Sequence, residues 1–244
     1  MNPTTGMVDR HLLPEDVERI VAGVEGWLDP QEGRLLYRLA AEADPDGDIV
    51  EIGSWHGKST IWLAAGAQAG RGARVVAIDP HTGTHLRGEG ETTDQILRAN
   101  LERAGVADQT TVLVATSEAV AAGWSGAISL LWIDGDHEYE SVRRDYLLWQ
   151  PHLRPDAVVA LHDTFVWPGP ERVVRELLIE TGDFTSFVYA DTTTAARRSG
   201  RLASRAALER RVGLARRRLY GVRLRAYDEN KYGFATVRDA IVRG

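Results

Sequence analysis

Val-Glu-Ile-Gly-Ser-Trp-His-Gly-Lys-Ser-Thr, Val50 to Thr60, reads as the end of a strand, a glycine turn and the start of a helix. Ile49 to Ile52 is a short apolar run that follows the Asp44–Asp48 turn cluster, and Lys58 to Ala69 has helical composition. Gly53 and Gly57 permit a tight turn and close backbone approach, and the unpaired amides at the start of the helix suit an anionic group. Strand, glycine turn and helix in this order open a βαβ unit.

Working outward, the same alternation continues. Strands are expected at Ala73 to Ile78, Thr111 to Ala115, Ile128 to Ile133 and Ala157 to Leu161. Helices are expected at Thr92 to Ala104, Tyr139 to Gln150 and Glu171 to Glu180, with two late strands at Phe184 to Ala190 and Gly233 to Val237. Upstream, Pro14 to Glu25 and Gln31 to Ala43 read as helices, the first opened by a proline at a tolerated position. The central runs are continuously apolar, which suits parallel strands covered on both faces. The expected fold is α/β: a Rossmann-like, doubly wound, mostly parallel sheet with one late antiparallel strand and helices on both faces. It is expected as a single domain over residues 1–244, with a helical N-terminal extension over 1–47 and an arginine-rich helical insertion over 197–225.

Composition bounds the chemistry. The 244 residues are 43% hydrophobic and 26% charged, an ordinary globular mixture for one domain. No apolar run approaches the ~18 residues of a membrane span, and no leader pattern opens the chain, so a cytoplasmic location is expected. With no cysteine, disulfides, thiolate metal sites and a cysteine nucleophile are excluded, and any metal must take oxygen or imidazole ligands. The net charge of −6 hides an asymmetry: eleven arginines and a single acid, Glu209, lie between Arg197 and Arg225.

Open parallel sheets bind ligands beyond the carboxyl ends of their strands. Standing there are Glu51, Asp79, Ser117, Asp134 and the pair His162-Asp163. The first loop lacks the G-x-G-x-x-G that would admit a dinucleotide pyrophosphate, which disfavours a nicotinamide enzyme. Its acid, Glu51, suits a cationic ammonium and Ser59 suits a carboxylate, so a zwitterionic amino-acid tail fits better. Asp79 can accept ribose hydroxyls, and Ser117 can meet an adenine edge.

Over about Ile49 to Thr181 the chain resembles the class I S-adenosylmethionine-dependent methyltransferases. The resemblance implies that Glu51, Gly53 and Asp79 contact S-adenosylmethionine. Ser59 and Ser117 correspond to the methionine-side and adenine-side serines of small metal-dependent catechol-type O-methyltransferases.

Asp134-Gly135-Asp136-His137 ends the fourth strand and His162-Asp163 the fifth. Carboxylates on neighbouring strand ends can converge on one hard cation, for which magnesium fits best. Asp134-Gly135 also reads as a turn, Asp136 as a helix cap and His162 as a buried histidine. Ile133 to His137, Tyr139, Asp145, Trp149, Leu153-Arg154-Pro155 and His162-Asp163 resemble a subfamily of metal-dependent, macrocin- and mycinamicin-type sugar O-methyltransferases. That resemblance implies Asp134, His162 and Asp163 as ligands of Mg2+ or another divalent cation, with Asp134 also in a catalytic role. His137 is the expected general base, since an imidazole titrates near neutrality.

The acceptor is expected to be a sugar or glycoside hydroxyl, with Phe165, Trp167 and Pro168-Gly169-Pro170 as one wall of its pocket. A catechol-type phenolic acceptor and a non-catalytic relative of the same fold are the alternatives. The arginine-rich segment suits an anionic small-molecule or oligosaccharide acceptor, or at most peripheral membrane contact. It lacks the aromatic interleaving of a nucleic-acid binder, so no nucleic-acid partner is expected. A homo-oligomer is expected.

Overall fold

The computed structural model describes residues 11–82, 93–199 and 212–224. Its first helix, α1 (Pro14–Val21), opens at a proline, and the Leu13 amide donates to the Asp16 carboxylate at 3.1 Å. The expected helix to Glu25 stops earlier, at Val21. In α2 (Pro30–Glu42) the capping is reciprocal: Asp29 accepts from the Gln31 amide at 2.8 Å, and Glu32 accepts from the Asp29 amide at 2.9 Å.

Seven strands follow: β1 (Asp48–Ile52), β2 (Val75–Asp79), β3 (Thr110–Val114), β4 (Ile128–Ile133), β5 (Leu153–Leu161), β6 (Phe184–Ala190) and β7 (Thr193–Arg198). They form one sheet in the order β3-β2-β1-β4-β5-β7-β6. β1 to β5 are mutually parallel, and β7 runs antiparallel to both β5 and β6. The helices between strands are α3 (Lys58–Ala69), α4 (Asp94–Ala104), α5 (Ser117–Ala121), α6 (Tyr139–Trp149) and α7 (Pro168–Val173). The last continues as one π-helical stretch, Val174–Ile179. Residues 212–224 form a further helix, α8. This is the expected Rossmann-like architecture, with β1 and β4 adjacent at the centre, where the order of the strands reverses.

β7 is the antiparallel strand, and the sequence reading did not assign it. Thr193 to Arg198 carries no large apolar residue, yet Ala195 and Ala196 are almost wholly buried between the flanking strands. The expectation of a strand at Gly233 to Val237 lies outside the described residues. Arg197 and Arg198, placed at the head of the expected insertion, belong to β7 itself.

Two apolar layers sandwich the sheet. One contains Leu35, Leu36, Ile61, Trp62 and Leu63 from α2 and α3; the other contains Val142, Tyr146 and Trp149 from α6. The α2–α3 crossing is close because glycine lies at the contact points. A Cβ on Gly33 would overlap the Trp62 indole, and one on Gly66 would overlap the Tyr37 backbone. That approach sets the first turn of α2, with Glu32, against the sheet.

Candidate active site at the strand tips

The tips of β1 and β2 form one half of the site. Gly53 adopts φ +85°, and a Cβ there would strike the Asp134 carbonyl, so only glycine lets the β1 loop pass the end of β4. Asp79, ending β2, ties this loop down. Its Oδ2 accepts from the Ser54 and Trp55 amides at 2.9 Å each, and its Oδ1 accepts from the His81 amide at 2.7 Å.

Behind the loop, Glu51 is fully buried and accepts from Ser59 Oγ at 2.5 Å and Thr60 Oγ1 at 2.6 Å. Ser59 and Glu51, expected to face opposite ends of an amino-acid tail, are each other's partners. Burial, with Asp134 and Asp79 adding repulsion and the two hydroxyls opposing, pushes the Glu51 pKa up to about 8. Such an acid gains from a nearby cation. Ser117 opens α5 and accepts from Trp149 Nε1 at 2.8 Å, which ties α5 to α6.

Three buried polar atoms around the first half have no hydrogen-bond partner among the described residues: Ser54 Oγ, Trp55 Nε1 and His81 Nε2. Unsatisfied buried polar groups are costly and rare, and their concentration at two strand tips fits a polar ligand seated there. Trp55 stacks between Trp27 (4.9 Å) and His56 (3.9 Å), which fixes the loop from outside.

The tips of β4 and β5 form the other half. His162, only 5% exposed, is the hub. Its Nδ1 lies 3.0 Å from Asp134 Oδ1 and 3.5 Å from Asp163 Oδ2, and its Nε2 lies 3.1 Å from Glu32 Oε2. The expected convergence of Asp134 and Asp163 therefore occurs, around an imidazole nitrogen. Burial opposes charge on His162, yet Asp134, Asp163 and Glu32 outweigh it and hold its pKa well above the usual imidazole value. Asp163 has left-handed backbone, φ +57°. Burial alone would raise its pKa, but His137 and His162 pull it far below the usual carboxylate range.

His137 points its Nε2 at Asp163 Oδ2, 2.9 Å away. Its ring lies on the Trp167 indole at 4.7 Å, and its Nδ1 is buried with no partner among the described residues. Asp136 caps this turn by accepting from the His137 and Glu138 amides. Gly169, in the first turn of α7, allows the chain to press on the His137 carbonyl, where a Cβ would collide.

Glu32 was not singled out in the sequence; in the fold it closes the capping box of α2 with Asp29. It performs that role and a second one. The carboxylate accepts from Thr192 N, Thr192 Oγ1 and Thr193 Oγ1 at 3.1, 2.9 and 2.8 Å, besides facing His162. Burial works against its charge, but His162, the Asp29 amide and the Thr193 hydroxyl hold its pKa below the usual value. The same Thr192 hydroxyl lies 3.2 Å from Asp163 Oδ1, so its single proton is shared between the two carboxylates.

The metal-ligand set expected from the sequence, Asp134, His162 and Asp163, does not fit a metal ion. A histidine ligand must offer a lone pair, whereas both ring nitrogens of His162 face carboxylate oxygens, and an imidazole that donates to both has none to give. Among the described residues no group of three or more His, Asp or Glu is arranged to hold an ion.

The outer wall comes from α8. Arg217, 7% exposed, donates to Thr194 Oγ1 at 3.0 Å and to the Thr164 carbonyl, and its guanidinium lies 4.2 Å over the Phe165 ring. Phe165 is further packed by Tyr189 and Tyr220. Of the aromatic residues expected to line a pocket, Trp167 faces His137, whereas Phe165 is enclosed by α8 and β6. No helix among the described residues is long and apolar enough to cross a membrane.

Comparison with known proteins places this geometry in context. A family described as Methyltransferase domain matches residues 50–164. The chain is 33% identical over 140 residues to a catechol O-methyltransferase of Mycobacterium tuberculosis, covering 57% of each protein; it thus spans little more than half the length of that relative. Among solved structures, it resembles the O-methyltransferase TomG of Streptomyces achromogenes in complex with S-adenosylmethionine. The TM-score is 0.56 at 19% identity, over 77% of this chain and 88% of that one. It also resembles CalS11, a TDP-rhamnose 3'-O-methyltransferase of calicheamicin biosynthesis, with a TM-score of 0.51 at 17% identity over 75% and 80% of the two chains. At these identities the structural likenesses show the Rossmann-like methyltransferase fold.

Proposed function

We propose, from the match to a family described as Methyltransferase domain over residues 50–164, that the chain is an S-adenosylmethionine-dependent O-methyltransferase with His137 as general base. The observation that carries this reading is the His137–Asp163 pair beside the cluster of unsatisfied polar atoms at the neighbouring tips. Asp163 accepts from Nε2–H, which leaves the lone pair of His137 on Nδ1. An imidazole held in this tautomer by a carboxylate is ready to take a proton from a hydroxyl placed against it.

S-adenosylmethionine supplies, when bound, an electrophilic methyl group on a sulfonium. The residues present fit it: Glu51, raised by burial, suits a cationic ammonium, and Asp79, 16% exposed at its side chain, retains a lone pair on Oδ1 for a ribose hydroxyl. With that electrophile bound, His137 Nδ1 would take the proton of the acceptor hydroxyl. Trp167 holds the imidazole plane during the transfer. The expected Mg2+ has no part in this reading, because the donor set does not suit it.

The acceptor class we favour is a sugar or glycoside hydroxyl. Support comes from the Trp167 face beside the base, which suits a sugar ring, and from the likeness to CalS11. A phenolic acceptor is the second reading, favoured by the catechol O-methyltransferase relative. Assaying labelled methyl transfer to glycosides and to catechols separates the two: transfer to catechols alone overturns the sugar reading.

A further inference from the structure

Three carboxylates meet one imidazole at the tips of β4 and β5. Glu32, Asp134 and Asp163 lie within 3.1, 3.0 and 3.5 Å of the His162 ring nitrogens. The edge of Trp132 closes the floor, with ring centroids 5.7 Å apart. A neutral imidazole has one N–H, so its second nitrogen would turn a lone pair toward a carboxylate oxygen at hydrogen-bond distance. Two N–H groups satisfy both contacts, and the charge they carry balances acids that would otherwise be packed together without a counter-ion. The seat is also built for a fixed ring. Glu32 is anchored by Asp29, Thr192 and Thr193, and Thr192 ties Asp163 to the same hairpin.

We propose that His162 is the resident cation of this site: its ring fills the seat between Asp134 and Asp163 that a divalent ion would take in a metal-dependent relative, so the chain transfers methyl without a metal ion. The proposal rests on the methyltransferase reading above. His162 acts as a positioning residue, neutralising Asp134 and holding Asp163, which in turn orients His137. The Glu32–His162 contact joins residues 130 apart in sequence, so α2 belongs to the site.

The test uses the full chain after chelator treatment, with S-adenosylhomocysteine added, titrated with Mn2+ and followed by electron paramagnetic resonance. Wild type is expected to leave Mn2+ free. His162→Asp, which places a third carboxylate in the seat, is expected to bind about one Mn2+ per chain at least about tenfold more tightly than wild type. Stoichiometric Mn2+ binding by wild type, lost in Asp163→Asn, overturns the proposal, as does a folded His162→Asp variant that gains no binding. The wild-type titration decides the matter even where a variant fails to fold. Turnover of chelated wild type gives a second arm: unchanged transfer supports the proposal, and a loss restored by Mg2+ overturns it. Absence of S-adenosylmethionine binding under all conditions would instead reject the functional reading itself.

Discussion

His137 Nε2 lies 2.9 Å from Asp163 Oδ2, and the opposite ring nitrogen is buried without a partner among the described residues. The pair gives the imidazole a direction. Its N–H is committed to the acid, which leaves the lone pair on Nδ1, the atom that the proposed reading assigns to the acceptor proton. His137→Ala is predicted to lower kcat by about 10²–10⁴-fold while leaving the S-adenosylmethionine Kd nearly unchanged. Asp163→Asn is predicted to lower kcat less, since the ring remains but its tautomer is no longer fixed. Steady-state kinetics beside calorimetric cofactor binding check both; a His137→Ala variant with normal kcat rejects the assignment.

Glu51 couples pH to stability. Its pKa, about 8 in the fold against an ordinary 4.5, means that the folded chain holds a proton the unfolded chain releases across that window. Stability without cofactor is therefore predicted to fall as pH rises from about 5 to 8, by up to about 1.4 kcal/mol per pH unit, and to level off above. Glu51→Gln should flatten this slope. Thermal unfolding of both proteins across the window is the measurement, and identical slopes would contradict the prediction.

Arg217 joins α8 to the turn after Asp163. Replacing it by Met keeps much of the stem packing on Phe165 but removes the bonds to Thr164 O and Thr194 Oγ1, leaving both buried. Arg217→Met is predicted to cost about 2–3 kcal/mol in urea unfolding. A change under about 0.5 kcal/mol would show that α8 is not held in this way.

Gly33 is predicted to be irreplaceable for geometric reasons, since an added methyl must displace the Trp62 indole or tilt α2. Gly33→Ala should cost about 1–3 kcal/mol by overpacking, in spite of alanine's better helix propensity. Greater stability in the variant would show that the α2–α3 crossing is looser than described.

The strand tips were legible because apolar runs, short in β1 and continuous in β4 and β5, define the strands, and the residues that follow them in the chain must emerge at one edge of a parallel sheet. The meeting of Asp134, His162 and Asp163 follows from that topology. What joins them was not legible. The same three residue types serve a metal site or an ion-paired imidazole, and the difference lies in what faces each ring nitrogen. That is decided by Glu32, which lies 130 residues from His162 in the chain. Ser59 was read as facing a ligand, yet its hydroxyl donates to the buried Glu51 carboxylate. β7 escaped notice because its buried positions are Ala195 and Ala196, too small to mark a strand by hydrophobicity. Once formed, its two-residue turn from β6 delivers Thr192 to both Glu32 and Asp163.

The account stands or falls on methyl transfer itself. Incubation of the full chain with methyl-labelled S-adenosylmethionine and a panel of glycosides and catechols, before and after chelation, is the direct measurement. The account predicts label on an acceptor oxygen in wild type, at equal rates with and without chelator, and its near-complete loss in His137→Ala. Label incorporation that persists in His137→Ala, or none in wild type with any hydroxyl acceptor, would contradict it.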